Sequence, residues 1–141
     1  MKKTGIFIIV CFLMAGCQKI DKELLISTLP GYWEIDKVEL KDGTTKEYNV
    51  STTIDFIKLT TKNEGFRKKL QPNLVGKFFG SDDVERFEII EGEGGIWLQY
   101  STNLMRWKEK IIDINPEQLI VKNKEGLIYH YKRYKPMEIL E

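Results

Sequence analysis

The chain has 141 residues, 42% of them hydrophobic, and its 22 Lys and Arg residues balance 21 Asp and Glu residues to a net charge of +1. This length suits one domain with a single core, and so balanced a charge lacks the strong basic field that draws nucleic acid to a protein. Two cysteines and one histidine are too few for a disulfide framework or for a metal site built on these residue types.

The N-terminus has the pattern of an exported protein. Lys2 and Lys3 precede an uncharged apolar run over residues 5–15, and small residues lead from this run to Cys17. A basic start, a short apolar run and small residues before a cleavage point make a secretory signal, whereas a membrane-spanning helix needs about 20 apolar residues. We therefore predict a cleavable signal peptide over residues 1–16.

Met14-Ala15-Gly16-Cys17 resembles the bacterial lipobox. The resemblance implies that the thiol of Cys17 receives a diacylglyceryl group and that the new N-terminal amine is acylated, which is enough for stable membrane anchoring. Cys11 leaves with the signal peptide. We expect a lipoprotein of the cell envelope, and we prefer the outer membrane because the residue after the cysteine is not Asp. A periplasm-facing position and display on the cell surface both stay open.

Residues 17–29 are predicted to form a tether that contains a short helix. Asp21, Lys22 and Glu23 precede three leucines, and Pro30 prevents the helix from continuing. A helix of two turns is marginal in isolation. We expect it to persist through packing of its leucines on the domain, for instance across one end of a barrel.

From Gly31 onward the sequence predicts one strand after another. Residues 32–40 are rich in β-forming side chains, and Asp42-Gly43 is a strong hairpin signal that leads into a strand at 44–50. A bulge near Asp36-Lys37 would place the apolar residues before and after it on one face. Further strands are predicted at 53–60, 66–70, 75–79, 84–91, 96–101, 106–114, 118–122 and 127–134.

This succession predicts an all-β domain over residues 30–135, followed by a C-terminal tail at 136–141. Seven to ten strands with a turn every 8–12 residues, and no amphipathic helix after residue 30, are typical of an antiparallel meander that closes into a barrel or a sandwich. In the strand at 53–60, Ile54 and Phe56 alternate with Asp55.

The segment Leu29-Pro30-Gly31-Tyr32-Trp33, followed by a strand and Asp42-Gly43, resembles the opening of lipocalin-like domains. It is most similar to the small lipocalin-like lipoproteins of Bacteroidetes-type bacteria. The resemblance implies a small antiparallel lipocalin-like barrel in which Trp33 packs across the closed end beneath Arg133, whose cation stacks on the indole. The chain lacks the Thr-Asp-Tyr motif and the long C-terminal helix of ligand-carrying lipocalins.

Aromatic residues on neighbouring strands are the candidate ligand-binding residues. They are Trp97, Tyr100, Trp107, Tyr129 and Tyr131. The interior of a barrel of about eight strands is either filled by side chains or open for one small apolar ligand. We favour a filled core of inward-facing aromatic rings, and the alternative is an apolar pocket with Trp107 and Tyr129 as walls.

The remaining polar residues do not form a catalytic motif. His130 alternates with Tyr129 and Tyr131 and is predicted to face outward, without a metal partner. Acidic residues at 82–93 follow a basic stretch at 62–77, which favours exposed cross-strand ion pairs over paired catalytic carboxylates. The sequence contains no nucleophile elbow, phosphate-binding glycine loop or dinucleotide fingerprint.

The sequence thus predicts a membrane-anchored lipoprotein that is not an enzyme, carries no cofactor and binds no nucleic acid. The first functional hypothesis is that its barrel binds a small apolar ligand. The alternative is a structural or assembly role, in which a solid barrel docks a protein partner at the envelope.

Cys17→Ala tests the anchoring hypothesis, because it removes the thiol to which the lipobox resemblance assigns the lipid. We expect this variant to leave the membrane fraction, and mass spectrometry of the wild-type protein to show a lipid on residue 17. Cys11→Ala is the matched control, since its thiol lies in the predicted signal peptide. Unchanged membrane fractionation of Cys17→Ala would refute the hypothesis.

Overall fold

A computed structural model describes residues 19–48, 53–72 and 78–135, with only the backbone at 78–83. Cys17, the predicted signal peptide at 1–16 and the predicted tail at 136–141 lie outside these residues. Within them, one helix, α1 (Lys22–Thr28), precedes nine strands. The strands are β1 (Gly31–Glu39), β2 (Thr45–Glu47), β3 (Ile54–Leu59), β4 (Glu64–Pro72), β5 (Phe78–Gly92), β6 (Gly95–Ser101), β7 (Arg106–Asn115), β8 (Gln118–Asn123) and β9 (Ile128–Arg133).

The strands form a single antiparallel sheet that closes on itself. From β3 to β9 each strand pairs with the next, and β9 pairs with β1. The other edge of β1 pairs with β3 at its beginning and with the short β2 at its end. Eight strands therefore form a closed barrel, and β2 adds a ninth strand beside β1. The predicted all-β, antiparallel barrel is confirmed, and its closure decides against an open sandwich.

The predicted bulge in β1 is present. The register between β1 and β9 shifts between Ile35 and Lys37. As a result Trp33, which precedes the shift, and Val38, which follows it, are both buried on the inner face of the barrel. One inserted residue thus keeps the apolar side chains of a long, curved strand on one side.

The hairpin predicted from Asp42-Gly43 is also confirmed. Asp42 Oδ1 accepts hydrogen bonds from the backbone N–H of Thr44 at 2.9 Å and from its hydroxyl at 2.6 Å. Gly43 has φ +87°, a left-handed conformation that glycine adopts without a steric penalty. The turn joins β1 to β2.

The prediction of separate strands at 75–79 and 84–91 is wrong. β5 runs unbroken from Phe78 to Gly92, and Gly80 lies within it, directly opposite Leu70 of β4. Pairing with β4 and with β6 supplies the ladder hydrogen bonds of this strand, and these tertiary contacts override the low β-propensity of glycine. A register shift between Lys68 and Leu70 accommodates the curvature of the two strands.

In β3, Asp55 and not Phe56 is on the inner face of the barrel. Asp55 pairs directly with Trp33, so the two side chains point to the same side, and both are buried. Phe56 instead lies on the outer face, where its ring packs against Tyr32 at 4.9 Å and Phe66 at 6.3 Å between centroids. An outer aromatic cluster, rather than the core, accounts for this apolar residue.

α1 covers the end of the barrel at which β1 begins. Asp21 caps the helix by accepting a hydrogen bond from the backbone N–H of Glu23 at 3.0 Å. Leu25 and Leu29 are fully buried and join the barrel core, and each contributes about 1.5–3 kcal/mol through burial. The predicted short helix therefore packs on the domain. No helix among the described residues is long and apolar enough to cross a membrane.

At this closed end, Arg133 lies over Trp33. The guanidinium carbon is 3.7 Å from the centroid of the indole ring, and the indole N–H donates to the carbonyl of Leu29 at 2.8 Å. The guanidinium also donates to the carbonyls of Thr28, Pro30 and Pro116 at 2.6, 2.9 and 2.9 Å. One side chain of the last strand therefore binds the end of α1, the start of β1 and the turn between β7 and β8.

Gly31→Ala should destabilise the closed end. Gly31 has φ +128°, and a Cβ atom there would lie 2.6 Å from Nη1 of Arg133. We expect a loss of about 1–3 kcal/mol in the free energy of unfolding from backbone strain, and a further loss because Arg133 must move. Gly43→Ala is the matched control, since Gly43 also has a positive φ but has no atom within 4 Å of its Cβ position. Equal losses for the two variants in urea unfolding would contradict the proposed close contact.

Candidate functional site

The half of the barrel interior next to α1 is apolar and closely packed. Its buried side chains come from six strands and include Trp33, Ile57, Leu98, Ile114 and Leu119. The interior cavity bounded by the described residues has a volume of about 10 Å³, which is no more than about one water molecule requires. The part of the interior between Trp33, Arg67 and Tyr131 therefore has no room for a small apolar ligand, and a filled core describes it.

A charged network crosses the middle of the barrel. Arg67 is only 8% exposed, and its Nε and Nη2 donate to Glu85 Oε2 at 2.9 and 2.5 Å. Its Nη1 is 3.5 Å from Oε2 of Glu109, and its guanidinium carbon is 4.2 Å from the ring centroid of Tyr100. Charge-assisted bonds and the aromatic face thus compensate a cation that is almost removed from water.

A second ion pair also contains a buried carboxylate. Lys69 Nζ donates to Asp55 Oδ1 at 3.1 Å, with the lysine half-exposed and the aspartate buried. Together these two groups contain three carboxylates and two cations of the described residues. Because these carboxylates are paired with Arg67 or Lys69 in a space of about one water, they are arranged as a structural network and leave no room for a substrate between them.

This buried network is not among the features predicted from the sequence. The ion pair between the basic and acidic strands, Arg67 with Glu85, is as predicted in its partners, but it lies inside the barrel and not on the exposed surface. A signal for Glu109 was present: it lies midway between Trp107 and Ile111 in a strand, so all three share one face. A charged residue at the period of inward apolar residues predicts a buried charge that needs a partner.

Of the two glutamates that contact Arg67, Glu109 makes the longer contact. Burial raises the pKa of its carboxyl above the usual range. The positive charge of Arg67 opposes this shift only in part, because the shorter bonds of that guanidinium go to Glu85. Burial also raises the pKa of the Tyr100 and Tyr131 hydroxyls, so both phenols remain protonated at neutral pH.

Four of the five candidate aromatic residues face the interior. Tyr100 is buried and stacks on Trp107 with centroids 5.3 Å apart, and Tyr129 and Tyr131 stack along β9 with centroids 6.5 Å apart. Tyr100 packs against Phe87 in the core. Trp107, Tyr129 and Tyr131 are half-buried, whereas Tyr100 is almost completely buried.

Trp97 does not line the interior. Along β6, Ile96, Leu98 and Tyr100 are buried on the inner face, and Trp97 alternates with them on the outer face. There the amino group of Lys110 lies 5.6 Å from the centroid of its indole ring. The expectation of inward-facing rings is therefore corrected at this position.

His130 faces outward as predicted, opposite Lys37 of β1 and Ile120 of β8. Its side chain is 12% exposed, and Nε2 lies 3.5 Å from Glu39 Oε1. Within the described ranges, no three His, Cys, Asp or Glu side chains lie together as metal ligands would.

The outer wall of the barrel carries a groove of about 680 Å³, which we call the outer groove. It crosses β4, β5, β6 and the first residue of β7. One row of directly paired residues in the groove consists of Glu64, Glu88 and Gln99, and we call it the carboxylate row. The next row consists of Phe66, Arg86, Ser101 and Arg106, and we call it the guanidinium row.

The four charges in the outer groove are not used in ion pairs within the described chain. No described residue of opposite charge lies within 4.0 Å of the charged atoms of Glu64, Glu88, Arg86 or Arg106. Glu64 and Glu88 are direct cross-strand partners, an arrangement of like charges that is unfavourable on a sheet surface. The groove thus presents two separate rows of opposite charge to solvent.

No protein-family model and no curated protein matches the chain. Solved structures similar to it include the following two. A lipocalin-like protein from Bacteroides uniformis ATCC 8492 is 12% identical, with a TM-score of 0.48 over 76% of this chain and 99% of that chain. An uncharacterized protein from Bacteroides eggerthii DSM 20697 is 11% identical, with a TM-score of 0.47 over 74% of this chain and 98% of that chain.

Glu109→Gln tests the buried network through the pH dependence of stability. A carboxyl whose pKa is raised by folding contributes stability below its ordinary value of 4.5, and this contribution is lost as the pH rises through the higher folded-state pKa. We expect the wild type to lose free energy of unfolding, relative to Glu109→Gln, as the pH rises from about 4 to about 8.

Urea unfolding at several pH values measures this difference. Glu93→Gln is the control, because Glu93 is exposed in the turn between β5 and β6 and should leave the wild-type pH dependence unchanged. If Glu109→Gln follows the wild-type curve at every pH, the burial that we assign to the carboxylate does not affect its ionisation.

Proposed function

We propose that this protein is a lipid-anchored lipoprotein of the cell envelope, that it binds a small ligand in the outer groove, and that it is not an enzyme. The observation that carries the proposal is the difference in free volume between the inside of the barrel and its outer wall. The described interior leaves about 10 Å³, whereas the outer groove has about 680 Å³, within the range of about 300–1,000 Å³ that is typical of small-molecule sites.

The position of α1 supports an anchor near this groove. Lys22, the first residue of α1, donates through Nζ to Asn63 Oδ1 at 2.6 Å, and Asn63 directly precedes Glu64 of the carboxylate row. Cys17 is five residues before Lys22, so an extended tether between them spans at most about 17 Å. A lipid on Cys17 would therefore hold the outer groove close to the headgroups of the membrane, with the outer membrane preferred.

A non-enzymatic role agrees with the arrangement of the interior carboxylates. Glu85 and Glu109 both contact Arg67, and a general acid or base must reach its substrate within hydrogen-bond distance. The cavity beside them is too small for a substrate. We therefore assign these charges to the stability of the barrel and the binding role to the groove.

Docking of an envelope protein is the second candidate function. The turn between β6 and β7 exposes Leu104 by 94% and Met105 by 61%, and Thr102 Oγ1 fixes this turn by accepting from both backbone N–H groups at 3.2 Å. Two ordered, exposed apolar side chains on a filled barrel are what a protein partner would cover.

Ser101→Trp distinguishes the two candidates. Ser101 lies between Arg86 and Arg106 in the groove, and an indole there would occupy the binding space without entering the barrel core. The protein should be purified from its native membrane, and native mass spectrometry should detect a bound small molecule on the wild type. We expect Ser101→Trp to lose this mass while its melting temperature stays close to that of the wild type.

Leu104→Ser is the matched variant for docking. It should keep the small molecule, because Leu104 lies outside the groove, and it should lose a protein partner if docking is the function. A small molecule that stays bound to Ser101→Trp, or the absence of a small molecule from the wild type, would overturn binding in the outer groove. A partner that is lost from Leu104→Ser would then favour docking.

A further inference from the structure

We propose that the outer groove recognises a dipolar phosphate–ammonium group of the phosphoethanolamine type, with the phosphate on the guanidinium row and the ammonium on the carboxylate row. The inference rests on the proposed function of the groove and adds the chemical class of its ligand. Three observations carry it: four charges without an ion-pair partner among the described residues, their order across the strands, and the contact of Lys22 with Asn63.

The guanidinium row fits a phosphate. Arg86 and Arg106 are the cross-strand partners of Ser101 on its two sides, so their Cα atoms are about 10 Å apart and their long side chains can converge above the serine hydroxyl. One bidentate arginine already satisfies a carboxylate, whereas a tetrahedral phosphate has oxygens for two guanidinium groups and a hydroxyl. Two arginines around one serine therefore favour phosphate over carboxylate.

The carboxylate row fits a primary ammonium. Glu64 and Glu88 are opposite one another on β4 and β5, and Gln99 is opposite Glu88 on β6. An ammonium group has three N–H donors, and this row offers two carboxylates and an amide oxygen as acceptors. A bound cation would also relieve the repulsion between the two directly paired glutamates.

The two rows are separated by a distance that a short carbon chain in the ligand can span. Apolar side chains lie beside the rows to contact that chain. Glu64 and Phe66 are two residues apart on β4, so the rows are separated by about 7 Å along the strands. The ring of Phe66 and the side chain of Val84 line the groove beside the charges. The groove can therefore contact an anion, a cation and the carbon chain that joins them at the same time.

Two sources would supply this chemistry, namely the headgroup of a membrane lipid and a free phosphoethanolamine. Because Lys22 lies against Asn63, next to Glu64, a lipidated Cys17 brings the carboxylate row close to the bilayer surface. A lipid headgroup would then be available at the end of the groove nearest the anchor.

The test titrates the mature lipidated protein with O-phosphoethanolamine, with inorganic phosphate and with ethanolamine. We expect the dipolar molecule to bind at least about tenfold more tightly than either half, because only it engages both rows. The double variant Arg86→Gln/Arg106→Gln should lose affinity for phosphoethanolamine and for inorganic phosphate. The double variant Glu64→Gln/Glu88→Gln should lose affinity for phosphoethanolamine and keep its affinity for inorganic phosphate.

Lys108→Gln is the matched control. Lys108 is the cross-strand partner of Gln99, so it continues the carboxylate row on β7, but it does not line the groove. It should bind phosphoethanolamine as the wild type does. Equal affinities for phosphate and phosphoethanolamine, or an unchanged affinity in Glu64→Gln/Glu88→Gln, would overturn the inference.

Nanodiscs identify the source of the ligand. If a lipid headgroup occupies the groove, soluble phosphoethanolamine should bind more weakly to the protein in nanodiscs of phosphatidylethanolamine than in nanodiscs of phosphatidylglycerol. Equal binding in the two nanodiscs assigns the site to the free molecule. Either result supports the dipolar class of ligand.

Two different results separate an error in the ligand class from an error in the binding site. If phosphoethanolamine does not displace the molecule that Ser101→Trp excludes, the ligand class is wrong and binding in the groove stands. If wild type and Ser101→Trp are both free of ligand, binding in the groove is wrong too.

Discussion

The contact of Arg133 with Trp33 is the interaction on which the rest of this fold depends. It joins the last strand to the first, and the same guanidinium binds carbonyl groups of residues 28, 30 and 116, up to 105 positions away in the sequence. β9 and β1 would otherwise be the free edges of an open sheet, with unpaired N–H and C=O groups. Gly31 makes this closure sterically feasible, because any Cβ at that position would meet the guanidinium.

Closure at this end also determines which side chains fill the barrel interior. α1 and Trp33 fill the closed end, and Arg67 with its two carboxylates fills the middle of the barrel. Burying an ion pair adds little net stability, since the desolvation of its charges offsets much of their attraction. The pairing of Arg67 with Tyr100, Glu85 and Glu109 therefore commits the described part of the interior to one packed arrangement.

Much of the fold could be predicted because its signals are local. The turn at Asp42-Gly43, the bulge between Ile35 and Lys37 and the succession of strands follow from neighbouring residues. The faces of single residues were harder to predict where a strand carries aromatic or charged residues on both sides. Trp97 and Tyr100 are three positions apart, and in a regular strand an odd spacing already places them on opposite faces. The outer groove could not be predicted, because its rows exist only in the register of four strands.

The groove and the barrel are connected through preorganisation. A shallow site with exposed arginine and glutamate side chains binds weakly if the backbone beneath it must also be ordered, because each immobilised side chain already costs about 0.5–1.5 kcal/mol. In this protein the Cα atoms of Glu88, Arg86 and Ser101 are held by strands that are paired on both edges and backed by the buried core. Only the side chains remain to be ordered by a ligand. A filled barrel is therefore consistent with a binding protein, provided that the ligand is recognised by the outer face of its wall.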